Sequence, residues 1–172
     1  MSARGTSLPH FYNLQYYKNN FPAMQKLHFS ILIHASQQKV WETMLNDTTY
    51  RQWTSAFMEC SYYEGSWTPG TKMRFLASNT DGTLSGMLSE IEEVTPYSFV
   101  SIQNLGEIIN NKEALFTKEK TEGYQLFENY TFTQKGDFTE LTVDFDSPEQ
   151  MTRMFQEMWP KALEKLKGVV EQ

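Results

Sequence analysis

The sequence predicts an α+β fold in which a curved antiparallel sheet grips a long C-terminal helix. Three observations carry this prediction. Strand-like runs separated by hairpin-length turns fill most of 57–145, and short connections between consecutive strands imply an antiparallel meander. Two short helical patterns follow the first strand. Finally, the closing stretch SPEQMTRMFQEMWPKALEKLKGVVEQ has helical periodicity. At about 100° per residue, Met154, Met158, Met151, Ala162, Phe155, Leu166, Trp159 and Leu163 cover about half its circumference. So wide an apolar arc suits a helix held in a curved sheet better than one lying on a flat one.

Residues 1–23 mix aromatics with Asn, Pro and Gly without a sustained period and read as an N-terminal extension, leaving 24–172 as the domain. Leu27, Phe29, Ile31 and Ile33 alternate within 25–35, which predicts a first strand with one apolar face. Ser36 then stands where an N-cap belongs, before Val40, Trp41, Met44 and Leu45 at helical spacing. A second short helix is expected over 48–53. Strands follow at 57–64, 71–77, 82–93, 98–105, 123–133 and 139–145, with turn chemistry at 79–82, at Thr95-Pro96 and at Lys135-Gly136-Asp137. The connection 106–123 is far longer than a hairpin loop and reads as a lid, a contact surface, a short helix or a strand extension. Ser147 as N-cap, Pro148 at the first helical position and Glu149 in the first turn predict the start of the last helix. Pro160 inside it predicts a kink.

Bulk properties exclude several function classes. A chain of 172 residues suffices to bury roughly 70% of its unfolded surface. A net charge of −6 argues against a nucleic-acid backbone or an anionic membrane as partner. The single cysteine, Cys60, suits a reducing, cytoplasmic setting. No apolar run is long enough for a membrane span, and the start of the chain has no secretory-signal pattern.

In order along the chain, IHASQQKVWETML, YRQWTSAF, GSWTPGTKMRF, GMLSEIEEVTPYSFVSIQNLG, ENYTFTQKGDFTELTV and the Trp159-Pro160 pair resemble the START and Bet v 1-like (SRPBCC) superfamily. The match is to its single-domain branch of Hsp90-ATPase-activator homologues, and it spans roughly 24–170. The resemblance implies the helix-grip fold, with an apolar cavity between sheet and C-terminal helix. Members of the superfamily use that cavity for lipids, polyketides, steroids and plant hormones, and a few catalyse cyclisation or hydrolysis in it. Eukaryotic Hsp90 activators carry an additional N-terminal domain with an Asn- and Trp-rich motif. Residues 1–23 contain no tryptophan and are too short for that domain.

Catalytic constellations are thin. His10, His28 and His34 pair with neither Cys60 nor a carboxylate at zinc-ligand spacing, and no phosphate loop or cofactor motif is present, so no metal or cofactor is expected. Alternation turns His28 and His34 away from the apolar face of the first strand. Cys60 reads as a buried or inert thiol, with a Cys-His nucleophile as the alternative. Glu90, Glu92 and Glu93 read as a solvated strand end. Glu128 differs, because it shares strand parity with Tyr124, Leu126, Tyr130 and Phe132. An inward-facing face there makes it a carboxylate among apolar groups, with a raised pKa, whereas a bulge would return it to water.

Candidate cavity-lining residues are Trp41, Trp53, Trp67, Met73, Phe75, Met87, Glu128, Tyr130, Phe132, Met151, Met154, Phe155, Met158 and Trp159. Core packing would use the same apolar residues, and the family resemblance tips the reading toward a cavity. The expected function is binding of a small hydrophobic or aromatic molecule. A protein-interaction module for a chaperone or other protein, and a weak cyclase or hydrolase, are the alternatives. Trp67, within the family's Gly-x-Trp-x-x-Gly pattern, is expected at the rim of the sheet as a lid or a plug, with Pro69 and Gly70 setting the turn.

Overall fold

Alternation at the start of the regular sequence forms β1 (Met24–Ile33), which turns Leu27, Phe29, Ile31 and Ile33 inward and leaves His28, Ser30 and Leu32 exposed. The computed structural model describes residues 23–117, 121 and 123–172. The proposed extension, up to residue 22, and His10 with it lie outside the described residues. After β1 the Ser36 hydroxyl accepts the Lys39 amide at 3.2 Å and starts α1 (Gln37–Leu45). The Asn46 side chain accepts the Thr48 amide at 3.0 Å and starts α2 (Asp47–Thr54) with no intervening loop.

The meander follows as β2 (Tyr62–Glu64), β3 (Lys72–Ser78), β4 (Leu84–Thr95), β5 (Phe99–Ile109), β6 (Lys112–Leu115), β7 (Leu126–Lys135) and β8 (Phe138–Pro148), and α3 (Thr152–Val170) closes the chain. All pairs are antiparallel, in the order β1-β8-β7-β5-β4-β3-β2. β4 occupies one side of β5 over nearly its whole length. On the other side β7 pairs with 99–104 and β6 with 106–109, so these two strands lie end to end. Register shifts at Leu88/Ser89 and at Ile91/Glu93 interrupt the β4–β5 ladder, and bulges of this kind increase strand bend and twist. α3 packs on β1, α1 and α2 within the concave face. This is the helix-grip fold.

Several boundaries differ from expectation for identifiable reasons. The Phe57 and Met58 amides donate to the Thr54 carbonyl and the Ser61 amide to the Met58 carbonyl, turn bonds instead of a ladder, so only Tyr62–Glu64 of the expected 57–64 strand forms. Cys60 has a left-handed φ of 61° there and is exposed, which corrects its reading as a buried thiol. Pairing of Met24 with Pro148 and Gln25 with Ser147 carries β8 past the expected N-cap. The Ser147 hydroxyl bonds to the Pro148 carbonyl, and a 3-10 turn at Glu149–Met151 precedes α3. α3 runs unbroken through Pro160, which is exposed together with Gln156, so water can satisfy the carbonyl that the proline deprives of its donor. The 106–123 connection is in part a strand extension. β5 continues to Ile109, Asn110 and Asn111 turn at φ 49° and 67°, and β6 folds back. Two left-handed residues between paired strands make a type I′ hairpin, which asparagine tolerates.

The main core joins the concave face of the sheet to α1, α2 and the later turns of α3. A small second cluster of Leu76, Leu88 and Ile108, with Tyr62 and Leu84 against it, occupies the opposite face of β3–β5.

Candidate functional site

α1 ends against α2 with its last carbonyls lacking helical partners, as every helix end does. Aromatic donors from three places satisfy them. Trp53 Nε1 donates to the Met44 carbonyl at 3.0 Å, while Tyr63 Oη and Trp67 Nε1 both donate to the Leu45 carbonyl, at 2.7 and 3.0 Å. Trp67 reaches this point from the turn before β3. There the Thr71 amide donates to the Thr68 carbonyl, Pro69 sits second and Gly70 third at φ 79°, as a type II turn requires. The Trp67 ring lies edge-on to Tyr63 at 5.4 Å and tilted against Phe75 at 5.9 Å. Its polar atom is thereby engaged in holding the end of a helix.

Replacing Tyr63 by Phe should cost about 1 kcal/mol, since Leu45 keeps its second donor. Combining it with Trp67→Phe should cost more than the two singles together, because a part-buried carbonyl then loses every partner. Urea denaturation of the four proteins in a double-mutant cycle reads this coupling, and strict additivity would show that the shared acceptor is unimportant.

The predicted site residues fall into three groups. Trp41 tilts against Phe132 at 5.2 Å beside α1. Trp67, Phe75, Tyr63 and Tyr50 form the second group near the α1–α2 junction, with Met73 buried at 0% exposure in the same core. Trp159 centres the third, with its ring 4.9 Å from Phe57, 5.7 Å from Phe145, 6.2 Å from Phe29 and 6.4 Å from Tyr130. Trp53 lies between the second and third groups, 5.3 Å from Tyr50 and 6.3 Å from Trp159. Phe155 joins the third group through Phe145 at 4.9 Å. Met87, Met151, Met154 and Met158 are half-buried and stand outside the packed core.

Glu128 belongs to the third group. β7 keeps its register on both sides, placing Glu128 between Ile102 and Phe145, so no bulge turns it outward. The Tyr130 hydroxyl, two residues along the same face, donates to Glu128 Oε1. Ile102, Phe145 and Tyr130 are sealed from solvent, whereas Glu128 and Leu126 are half-buried, so access rises toward the start of β7. Among the described residues only Arg74 Nε and Asn129 Oδ1 are fully enclosed without a hydrogen-bond partner. No described group donates to Glu128 Oε2, and the residue is half-buried. Burial pushes the Glu128 carboxyl above its usual range, opposed by the Tyr130 hydrogen bond, and desolvation raises Tyr130 well above the ordinary phenol value.

Because the folded protein holds this proton more tightly than the unfolded chain, Glu128 contributes stability at low pH that is lost as pH rises through its raised value. Glu128→Gln keeps an acceptor for Tyr130 and removes the desolvated charge. Its melting temperature should exceed the parent's at pH 7, and the gap should close in acid below the ordinary carboxyl range. A constant gap across pH would rule out the burial effect.

Sequence reading missed three polar residues on the concave face. Ser89 Oγ donates to Asn104 Oδ1 at 2.8 Å, and Glu107 is buried opposite Met87. The register jumps from Gly106↔Leu88 to Asn104↔Ser89, so Leu105 is an extra residue that brings odd-numbered Glu107 onto the face of Asn104. Simple alternation could not reveal this. Histidine orientation did follow the alternation: His28 bonds Asp144 Oδ1 at 2.8 Å on the outer face, and His34 is exposed. No helix of the described residues is long and apolar enough to cross a membrane. None of their His, Cys, Asp and Glu residues group in threes or more as a metal site.

Solved structures share this architecture at low sequence identity. Mll3558 from Rhizobium loti is 13% identical, with a TM-score of 0.66, over 86% of this chain and 97% of that one. CalU16 from Micromonospora echinospora is 15% identical, with a TM-score of 0.59, over 86% and 76%. DynU16, a protein in the dynemicin biosynthetic locus, is 18% identical, with a TM-score of 0.61, over 86% of this chain but 47% of its own. No protein of curated function matches the sequence significantly. Residues 34–171 match the family model described as activator of Hsp90 ATPase homolog 1-like protein, and the chain belongs to that family.

Proposed function

We propose that the protein binds a small hydrophobic or aromatic molecule in the crevice between the concave face of the sheet and the first turns of α3. The observation that carries this reading is Glu128, a half-buried carboxylate held in register on an apolar face, with one oxygen bonded to Tyr130 and the other receiving no hydrogen bond from a described group. Half-buried Phe155, backed by the buried rings of Tyr130 and Trp159, supplies the adjoining aromatic surface, and Met151, Met154 and Met158 its adaptable edge. Trp41, Phe132, Trp53, Met73, Trp67 and Phe75 support the walls through the core and helix-end contacts described above. Affinity comes mainly from apolar surface removed from water, at roughly 25 cal/mol per Å², with Glu128 and Tyr130 fixing orientation. A structural neighbour in a biosynthetic locus is consistent with a fold suited to handling small organic molecules.

Native mass spectrometry of freshly purified protein, followed by solvent extraction, tests the reading. A reproducible co-purifying small molecule supports it. Absence of any thermal shift across a panel of lipophilic ligands, with the purified protein ligand-free, would count against it. The family description favours a second reading, docking on the Hsp90 chaperone. A pull-down with Hsp90 and an assay of its ATPase distinguish the two, because ligand binding alone predicts no stimulation.

A further inference from the structure

We propose that the Glu128 crevice selects ligands bearing an amine, held as an ammonium by Glu128 Oε2 against an aromatic wall, over carboxylates and alcohols of the same shape. This rests on the binding reading above and names its ligand class. The Tyr130 hydroxyl has one proton and donates it to Glu128 Oε1. Tyr130 is buried, so what the pair offers a ligand is its remaining acceptor, Glu128 Oε2, and acceptors recognise donors.

The surroundings favour a charged donor. Phe145, paired in register with Glu128, is buried, but half-buried Phe155 lies edge-on to it at 4.9 Å and brings partly accessible aromatic faces near the carboxylate. Such faces attract cations and do nothing for anions. The basic side chains with described partners engage groups elsewhere: Lys26 Asp146, His28 Asp144, Arg51 Asp47, Lys72 Glu113, Arg74 Glu64, Lys135 Glu140, Arg153 Glu157, Lys165 Ser55 and Lys167 Glu171. Two further ionisable groups bear on the same face. Tyr50, from α2, acts on Tyr130, and Glu107 adds a second carboxyl that already has a partner. Glu128 thus keeps an acceptor that no described group occupies, and an ammonium would restore the solvation its carboxylate loses on burial.

Calorimetry at pH 7 with 1-naphthylmethylamine, 1-naphthylmethanol and 1-naphthoate, on the full chain and on Glu128→Gln, tests the proposal, with circular dichroism confirming that the variant is folded. The amine should bind roughly tenfold or more tighter than the alcohol, as one charge-assisted hydrogen bond allows, and naphthoate should bind weakest. In Glu128→Gln the amine should lose that advantage while the alcohol keeps its affinity. An alcohol or naphthoate affinity equal to the amine's, or an amine advantage that survives the substitution, overturns amine selection and leaves the binding reading intact. No heat from any of the three with either protein removes the binding reading and the selectivity together.

Discussion

Trp159→Ala should destabilise the protein by about 3–5 kcal/mol, the range for truncating a large buried aromatic. For a chain of this size that corresponds to a fall of roughly 6–20 °C in melting temperature. Trp159 is 4% exposed, and rings from β1, β7, β8, α2 and the turn after α2 lie around it. These neighbours sit on separate elements that also pair with one another, so they cannot all relax into the vacated space. Since a domain's whole stability is about 5–15 kcal/mol, the variant should be marginal at 37 °C. Trp159→Phe, which keeps an aromatic ring at the centre, should lose much less. Chemical denaturation of both variants checks the ranking, and equal losses would show that ring packing is not what Trp159 contributes.

Gly86→Ala should be of comparable severity for a different reason. Gly86 lies in β4 opposite Leu76, where an added Cβ would stand 1.8 Å from the Phe75 carbonyl oxygen and 2.9 Å from its carbon. Both atoms are backbone, so no side-chain rotation relieves the clash and the two strands must separate locally. Overpacking costs of this kind reach about 3 kcal/mol and more. Gly168 provides the contrast within the same protein. It lies inside α3, is exposed, and an added Cβ meets nothing within 4 Å. Gly168→Ala should therefore stabilise by about 0.4–1 kcal/mol. Opposite signs for the two substitutions, read from thermal melts, are expected. A harmless Gly86→Ala would mean that β3 and β4 have more freedom than this close approach indicates.

Element types and their order were legible because each rests on a local period. Leu27 to Ile33 alternate, Val40 to Leu45 repeat at helical spacing, and Trp159, Leu163 and Leu166 mark the buried stripe of α3. Failures came where a long-range partner overrode local preference. Ser147 and Pro148 are a good helix start in isolation, yet the ladder to β1 claims them. The Asn110-Asn111 pair could have signalled a hairpin turn, being two residues tolerant of left-handed backbone between strand-like runs. The site was half legible. Glu128 keeps strand parity, so its inward direction was readable. Glu107 and Asn104 share a face only because Leu105 is an extra residue, and a bulge leaves no trace in the hydrophobic pattern. Nor could alternation show that Trp67, Tyr63 and Trp53 would meet the carbonyls at the end of one helix.

That meeting point also bears on how the protein opens. The Leu45 carbonyl is held by β2 through Tyr63 and by the following turn through Trp67, so the end of α1 cannot fray without releasing contacts made by segments 18 and 22 residues further along the chain. The junction of the two short helices and the β2–β3 corner should behave as one cooperative unit, with amides from both regions exchanging hydrogen at a common rate in native conditions.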